Sequence, residues 1–357
     1  MLIYVVIGCI LDVSIESHDI PSHHFNLSSY KSQCRYPADF DRNPFVGSFI
    51  DDIIVTRYKP GSVGASSVDE NCAPHRFLRM FDWTVYMDAK FLEYKTDNPR
   101  TVFVFGSSTA ENFRLIEKYI PVLHVGQKRS LVIGGSDIGL RRLLEYPSLQ
   151  KFVNNNDYFT DVWIESKDII HDKVKTFPMG LRVEYITRAG WKVVSDAVAT
   201  AQQYPHPRPL LVNAVWGKRF PHLDSLVGPR IALIKAMQNW TWVSRSMWDY
   251  EQYWQRVPQY RFSICPAGAG VQSPKIFECL VLQSVPVVTA LPAFQDLKAL
   301  GFPVVLVQRW YQLSEDLLLH AYEHHIRNVS WERVNAMLKP ENAMQLLLTG
   351  SYDFLDQ

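Results

Sequence analysis

The stretch Cys-Pro-Ala-Gly-Ala-Gly-Val-Gln-Ser-Pro-Lys-Ile-Phe-Glu-Cys-Leu, residues 265–280, packs glycines, an ammonium and a carboxylate into one short segment. A strand-like run over 260–265 leads into it, and the apolar spacing predicts a helix over 274–282. Gly268 and Gly270 lack a Cβ, so their amides can approach a ligand closely. A helix beginning near Pro274 favours an anion such as a diphosphate at its amino end. Lys275 lies in that first turn, where a cation gains nothing from the helix dipole; a bound anion would account for it. Glu278, three residues on, shares its face and can accept hydrogen bonds from both hydroxyls of a ribose. The other reading is a plain turn followed by an exposed Lys275–Glu278 ion pair. Spacing alone leaves both open.

Other chemistry-bearing patterns are weaker. Asp39-Phe40-Asp41 has the spacing of a carboxylate metal pair, but it sits in RYPADFDRNP with no strand before it and reads as a turn. His320 and His324 have i,i+4 spacing without the acidic partner of H-E-x-x-H, which predicts a surface feature. The five cysteines, Cys9, Cys34, Cys72, Cys265 and Cys279, form no C-x-x-C pair, which argues against zinc. A Cys34–Cys72 bridge is left open. There is no G-x-S-x-G and no Walker loop, and GGSDIG (134–139) lacks dinucleotide spacing. Neither a metal nor another cofactor is expected.

The elements that would position these residues follow a βα alternation. Strands are expected at 101–106, 130–135 and 161–166, with helical spacing at 110–120 and 138–146. QQYPHPRP (202–209) holds Pro205, Pro207 and Pro209 and is the best linker. Beyond it, strands are expected at 210–215, 241–245, 260–265, 285–289 and 303–307. Helices are expected at 228–237, 249–257, 274–282 and 294–300, with a helical tail over 314–350. Apolar strands separated by helices imply parallel sheets covered on both faces. The fold class is therefore α/β, with two Rossmann-like βα domains facing across a cleft. The first spans 1–204 and carries an irregular leading segment whose one strand candidate is 50–58 and whose 61–71 is a loop. The second spans 205–335, and a helical tail covers 336–357. Ligands in such sheets bind beyond the carboxyl ends of the strands.

The 357 residues have a net charge of +1, so no basic surface argues for nucleic acid. MLIYVVIGCIL at the amino end is apolar but shorter than the roughly 20 residues a spanning helix needs. It has no basic leader, which weakens the signal-peptide reading; an anchor remnant, a signal peptide and a buried strand all stay open, and so does membrane association. A Golgi or secretory lumen follows from the first two readings and a cytoplasmic location from the third. The sequons at Asn26, Asn239 and Asn328 would matter only in a secretory compartment.

The run RFSICPAGAGVQSPKIFECLVLQSVPVV (261–288) resembles the donor-binding segment of exostosin-like glycosyltransferases and related two-domain GT-B enzymes. Pro266, Gly268, Gly270, Glu278 and Pro286 match that pattern. Lys275 stands where arginine is usual, Gln272 where aspartate is common in some branches, and Gln283 where glycine is usual. A looser likeness runs over 100–310 through VFVFGSST, LVIGGSD and FPMGL. The resemblance implies a transferase that moves a sugar from a nucleotide-diphosphate donor, UDP-linked, to a hydroxyl of a glycan or glycoprotein, with inversion. Glu278 would hold the donor ribose, and Lys275 with the Gly268–Gly270 amides the diphosphate. Gly217, Lys218 and Arg219 in NAVWGKRF would supply a second basic group, with Arg230 a weaker candidate, and Arg245 would lie near the base. On the acceptor side Asp137 would be the catalytic base, its alternative being a helix N-cap. Ser107, Ser136, Gly180 and Arg182 would line the cleft. The departures at Gln272, Lys275 and Gln283 imply an alternative, a nucleotide-sugar or glycan-binding protein of this fold without catalysis.

Overall fold

The computed structural model describes residues 77–86, 90–106, 109–122, 126–204, 206–215, 230–268 and 270–356. The apolar amino-terminal run, the 50–58 strand, Asp39-Phe40-Asp41, the Cys34–Cys72 pair, Ser107 and the Gly217-Lys218-Arg219 loop lie outside the described residues.

Two separate sheets form. The first joins β1 (Trp83–Tyr86), β2 (Lys90–Tyr94), β3 (Thr101–Phe105), β4 (Ser130–Gly134), β5 (Asp161–Ile164) and β6 (Val174–Thr176) in the order β2-β1-β3-β4-β5-β6. Its pairs are parallel except for the β1–β2 edge hairpin. The helices that cover it are α1 (Thr109–Tyr119), α2 (Leu140–Leu143) and α3 (Pro147–Asn154). The second sheet joins β7 (Leu210–Asn213), β8 (Val243–Ser244), β9 (Tyr260–Ile264), β10 (Val285–Thr289) and β11 (Val305–Val307), all parallel, in the order β11-β10-β9-β7-β8. Every residue of β3, β4 and β10 is buried, as expected of strands covered on both faces.

The structure departs from the sequence reading at two points and adds to it at two more. The hairpin β1–β2 lies in the leading segment expected to hold a strand only at 50–58; Trp83, packed between Phe91 and Tyr94, holds it. The helix expected over 138–146 is a short turn, α2, ended before Pro147, which opens α3. Helices α4 (Val183–Ala189) and α5 (Trp191–Gln203) precede the proline segment, and both pack on α7 (Tyr250–Arg256) of the second sheet. Within the proline segment Arg208 is buried, 1% exposed, while His206, Pro207 and Pro209 are exposed.

Helices α6 (Arg230–Ala236), α8 (Pro274–Val281) and α9 (Pro292–Ala299) complete the second layer, followed by α10 (Glu315–Ala321), a π-helical turn (Tyr322–Ile326), α11 (Trp331–Met337) and α12 (Pro340–Thr349). In α8 every residue but Lys275 is buried, which requires a helix apolar nearly all round. It ends in a Schellman motif: Ser284 N–H donates to Cys279 O at 2.9 Å and Gln283 N–H to Leu280 O at 3.0 Å. Gln283 takes the left-handed position, φ 56°, that usually belongs to glycine.

One apolar core crosses from layer to layer. Phe103, Trp163 and Phe177 of the first share it with Phe277, Leu280 and Phe294 of the second. Polar contacts reinforce it. Gln272 Nε2 donates to Glu165 O at 2.6 Å and Phe177 O at 2.8 Å, and its Oε1 accepts from Met179 N–H at 3.1 Å. Asp296 Oδ2 accepts from Lys167 Nζ (2.9 Å), Thr176 N–H (3.1 Å) and Thr176 Oγ1 (2.7 Å). The final long helix returns to the first layer, where Ser130 Oγ donates to Leu347 O at 3.0 Å. No helix among the described residues is long and apolar enough to cross a membrane.

Candidate functional site

The strand order of the second sheet reverses at β7 and β9, since β8 lies outside β7 while β10 and β11 continue beyond β9. Beyond the carboxyl ends at such a reversal the connections diverge to opposite faces and leave a crevice. The Pro266–Gly270 loop leaves β9 there, and Ala214 and Val215 leave β7. Lys275 bridges the two strand ends: its Nζ donates to Val215 O and, at 3.0 Å, to Ile264 O. The ammonium is thus fixed at the switch point, capping carbonyls that continue neither ladder. Tyr253 lies beneath it, with the ring centroid 5.9 Å from Nζ.

Glu278, one turn along α8, is 5% exposed, and among the described residues its Oε1 has no hydrogen-bond partner. This is no exposed ion pair. Burial pushes its carboxyl up to about 8; Cys279 adds to the rise, while Lys275, the Tyr253 hydroxyl and Arg182 oppose it. Beside it Cys279 Sγ lies 3.4 Å from Tyr253 Oη and 4.0 Å from Cys265 Sγ, both thiols being buried and unbridged. Burial pushes the Cys279 thiol up, but hydrogen bonding from Cys265 and the Lys275 charge outweigh it and bring it below its usual value. The floor continues in Asn213, whose Nδ2 donates to Ser263 Oγ at 2.5 Å, and Ser263 meets Ser284 Oγ at 2.9 Å. Asn213 Oδ1, also buried, lacks a partner among the described residues. A cation, a buried acid with an unfilled oxygen and a glycine loop thus lie together beyond the carboxyl ends of β7 and β9. They can hold an anionic, polyhydroxylated ligand.

Gly268 N–H donates to Gly270 O at 3.1 Å, which closes the loop on itself, and Gly270 is buried. Gly180 has φ 73°, so FPMGL needs its glycine. Arg182 follows it, stacked on Tyr185 at 5.0 Å and close enough to Glu278 to act on its titration. Lys275, Glu278 and Arg182 are therefore brought together across the seam. Arg245 is exposed and donates to Gln238 O at 3.2 Å, with no contact to Glu278 or Lys275.

On the first layer Asp137 is exposed, and the helix N-cap role falls elsewhere: Gly139 is the N-cap of α2, and Asp168 Oδ1 accepts from Arg141 N–H at 2.9 Å. Ser136 Oγ accepts from Ile138 N–H at 3.1 Å, so it shapes the loop that carries Asp137. Under that loop lies Glu165, 1% exposed, accepting from Gly135 N–H at 3.1 Å. A Cβ on Gly134 would sit 2.5 Å from Glu165 Oε1 and 2.7 Å from Phe103 Cζ, which accounts for the glycine there.

The sequence reading missed Glu165, Asp168, Tyr253 and the Gln272 clasp. The acidic run ESKD directly after β5 was the available signal for the first two, because it leaves a strand at its carboxyl end. His320 and His324 stack 4.2 Å apart, and among the described residues no cluster of three or more His, Cys, Asp or Glu could hold a metal ion.

No family model and no curated protein matches the chain. Among solved structures it is similar to a UDP-forming trehalose-phosphate synthase from Burkholderia xenovorans, at 10% identity, TM-score 0.34 and 71% coverage of each chain. It is also similar to that of Burkholderia vietnamiensis, at 11% identity and TM-score 0.31 over 72% of this chain and 69% of that one. A third is the trehalose-6-phosphate enzyme of E. coli bound with UDP-2-fluoro glucose, at 7% identity and TM-score 0.30 over 72% and 71%. The exostosin-like resemblance rests on the residues quoted above.

Proposed function

We propose that the chain is a GT-B glycosyltransferase of the exostosin-like kind, transferring a sugar from a UDP-linked donor to a hydroxyl of a glycan or glycoprotein with inversion. The observation that carries this reading is Glu278: a buried carboxyl group with an unfilled oxygen, beside a fixed ammonium, at the strand-order reversal of a parallel sheet. A buried polar atom without a partner costs stability unless a ligand completes it. The two hydroxyls of a ribose would do so. Lys275 and the loop amides would face the diphosphate, and Gly217, Lys218 and Arg219 would add to them.

In the reaction the acceptor oxygen attacks the anomeric carbon as the bond to the diphosphate oxygen breaks. The leaving nucleotide takes the bonding electron pair, and Asp137 takes the acceptor proton. Lys275 stabilises the charge that gathers on the leaving group. No metal or other cofactor enters this scheme. Gly180 and Arg182 would border the donor from the first layer, and Ser107 and Ser136 would border the acceptor.

One observation favours the second reading, a nucleotide-sugar or glycan-binding protein without turnover: Lys275 already donates to Val215 and Ile264 carbonyls. Thermal shift against UDP and UDP-sugars, paired with a donor-hydrolysis and transfer assay, separates the two. The native chain should gain stability with UDP. Glu278→Ala should lose about 2 kcal/mol of that binding, and Asp137→Asn should bind UDP normally while transfer stops. If no nucleotide shifts the native chain, the donor site is refuted. Binding without turnover, unchanged by Asp137→Asn, selects the second reading.

A further inference from the structure

At the opposite end of the second sheet a cavity of about 90 Å³ opens among the strand beginnings. Its lining includes His206, Arg208, Arg261, Gln283, Arg327 and Trp331. Arg208 stands just before β7, Arg261 near the start of β9, and Gln283 in the turn before β10. The cavity is thus separated from the Lys275–Glu278 crevice by the length of the sheet.

Arg208 is 1% exposed and held by acceptors that bear no charge. It donates to Pro258 O, to Ala201 O at 3.0 Å and to Gln283 Oε1 at 3.2 Å. Among the described residues no carboxylate pairs with it, and its Nε has no hydrogen-bond partner. Burial pulls the guanidinium down to about 10, still protonated at neutral pH. A buried charge without a counter-charge is costly and calls for a partner.

Arg261 is fixed by its Nε bond to Arg208 O at 2.7 Å and by stacking on Tyr322 at 4.9 Å. Among the described residues it makes no ion pair. Arg327, exposed at the edge of the lining, pairs with the exposed Glu323 at 3.2 Å. His206 Nε2 donates to Gln283 Oε1 at 3.2 Å, and the ring stacks parallel to Trp331, centroids 6.5 Å apart. Burial holds its pKa below the usual value, so at neutral pH it offers a polar ring more than a charge.

We propose that this cavity is a second ligand site, for a tetrahedral phosphate-class oxyanion, either free or as a phosphomonoester. Arg208 and Arg261 bind it with planar guanidinium donors, as such groups bind phosphate, and Arg327 adds to them from the edge of the lining. The site stands independently of the transferase reading, because it shares no residue with the switch-point crevice.

The test measures thermal stabilisation and calorimetric binding of the full chain with inorganic phosphate, against chloride at equal ionic strength. Glycerol 3-phosphate forms a second arm. The native chain should show a saturable shift with phosphate. Arg261→Gln should weaken phosphate binding about ten-fold or more, the loss of one charge-assisted donor pair. Binding of both probes identifies the terminal phosphoryl group as the recognised chemistry; binding of phosphate alone identifies a closed site for the free anion. The proposal is overturned if phosphate shifts the chain no more than chloride, or if Arg261→Gln keeps the full shift. Should Arg261→Gln fail to fold, the exposed Arg327→Gln decides, and an affinity equal to native overturns the site.

Discussion

Two carboxylates on neighbouring helices of the second layer, Asp296 on α9 and Glu278 on α8, have opposite surroundings. Asp296 directs one oxygen across the seam and fills it with Lys167 Nζ, Thr176 N–H and Thr176 Oγ1. Glu278 is more deeply buried, yet its Oε1 is unfilled. The first carboxylate is spent on holding the layers together. The second is held in place by a helix that gains nothing from its charge, and its surroundings oppose ionisation. The protein's own interactions account for the acid of α9, whereas that of α8 keeps its Oε1 without a partner among the described residues. The contrast can be broken or sharpened at three points.

The largest effect is expected at Gln272, which belongs with Asp296 on the holding side. It is one of the departures from the exostosin-like pattern that the segment resembles, but every polar atom of its side chain is used between the layers. Gln272→Ala removes these bonds at a buried seam and leaves the Phe177 and Glu165 carbonyls short of a donor. A loss of about 3 kcal/mol follows, read as a lower urea midpoint. Gln272→Glu should do no better, because a carboxylate has no hydrogen to offer those carbonyls. A native-like midpoint for either variant would place Gln272 on the ligand side of the comparison.

The second effect concerns pH. The folded pKa of Glu278 is raised to about 8 from an ordinary carboxyl value of 4.5. Between those values the folded chain holds a proton that the unfolded chain releases, so stability falls as pH rises through that window. Below it both states are protonated and the contribution is fully present; above about 8 it is lost. The decline should amount to about 2 kcal/mol over roughly two pH units near neutrality. Glu278→Gln should flatten it, with the variant gaining on the native chain as pH rises. Parallel stability profiles for the two chains would show that Glu278 is an ordinary solvated acid.

The sequence displayed the sheets better than the reasons for particular side chains. β3, β4 and β10 are continuous apolar runs because both their faces are covered, and a run of that kind is visible without context. The β1–β2 hairpin at the sheet edge and the three-residue β6 carry too little apolar pattern to stand out. α4 and α5 pack against α7, a contact between residues far apart in the chain, which no local pattern encodes. The candidate site divides the same way. Glu278, Lys275 and the glycine loop were legible from spacing. Gln272 and Gln283 looked like departures in a binding motif, and the structure gives both of them structural contacts. Gln272 ties the layers, and Gln283 accepts from Arg208 and His206 at 3.2 Å while it ends α8. Residue type announced the difference; only the partners across the fold explain it.

The smallest of the three effects tests Asp296 by the same isosteric exchange as Glu278, with the opposite sign. Asp296→Asn keeps the shape of the side chain but removes the charge that Lys167 faces. The Lys167 side chain is 8% exposed and that of Asp296 33%, so water screens one partner and not the other. The Coulombic part must be discounted for that exposure. What remains is an ammonium left buried against a neutral amide, while the Thr176 bonds persist if the amide presents its oxygen. The expected loss is about 1 kcal/mol near neutral pH, read from the same urea midpoints as the Gln272 variants. Since Asp296 already spends its oxygen within the protein, the exchange should leave the UDP-induced thermal shift at its native size. A loss of UDP binding without a loss of stability would reverse the assignment of the two acids. A gain in stability, matching that expected of Glu278→Gln, would show that burial outweighs the seam contacts at Asp296 as well, and the difference between the two helices would disappear.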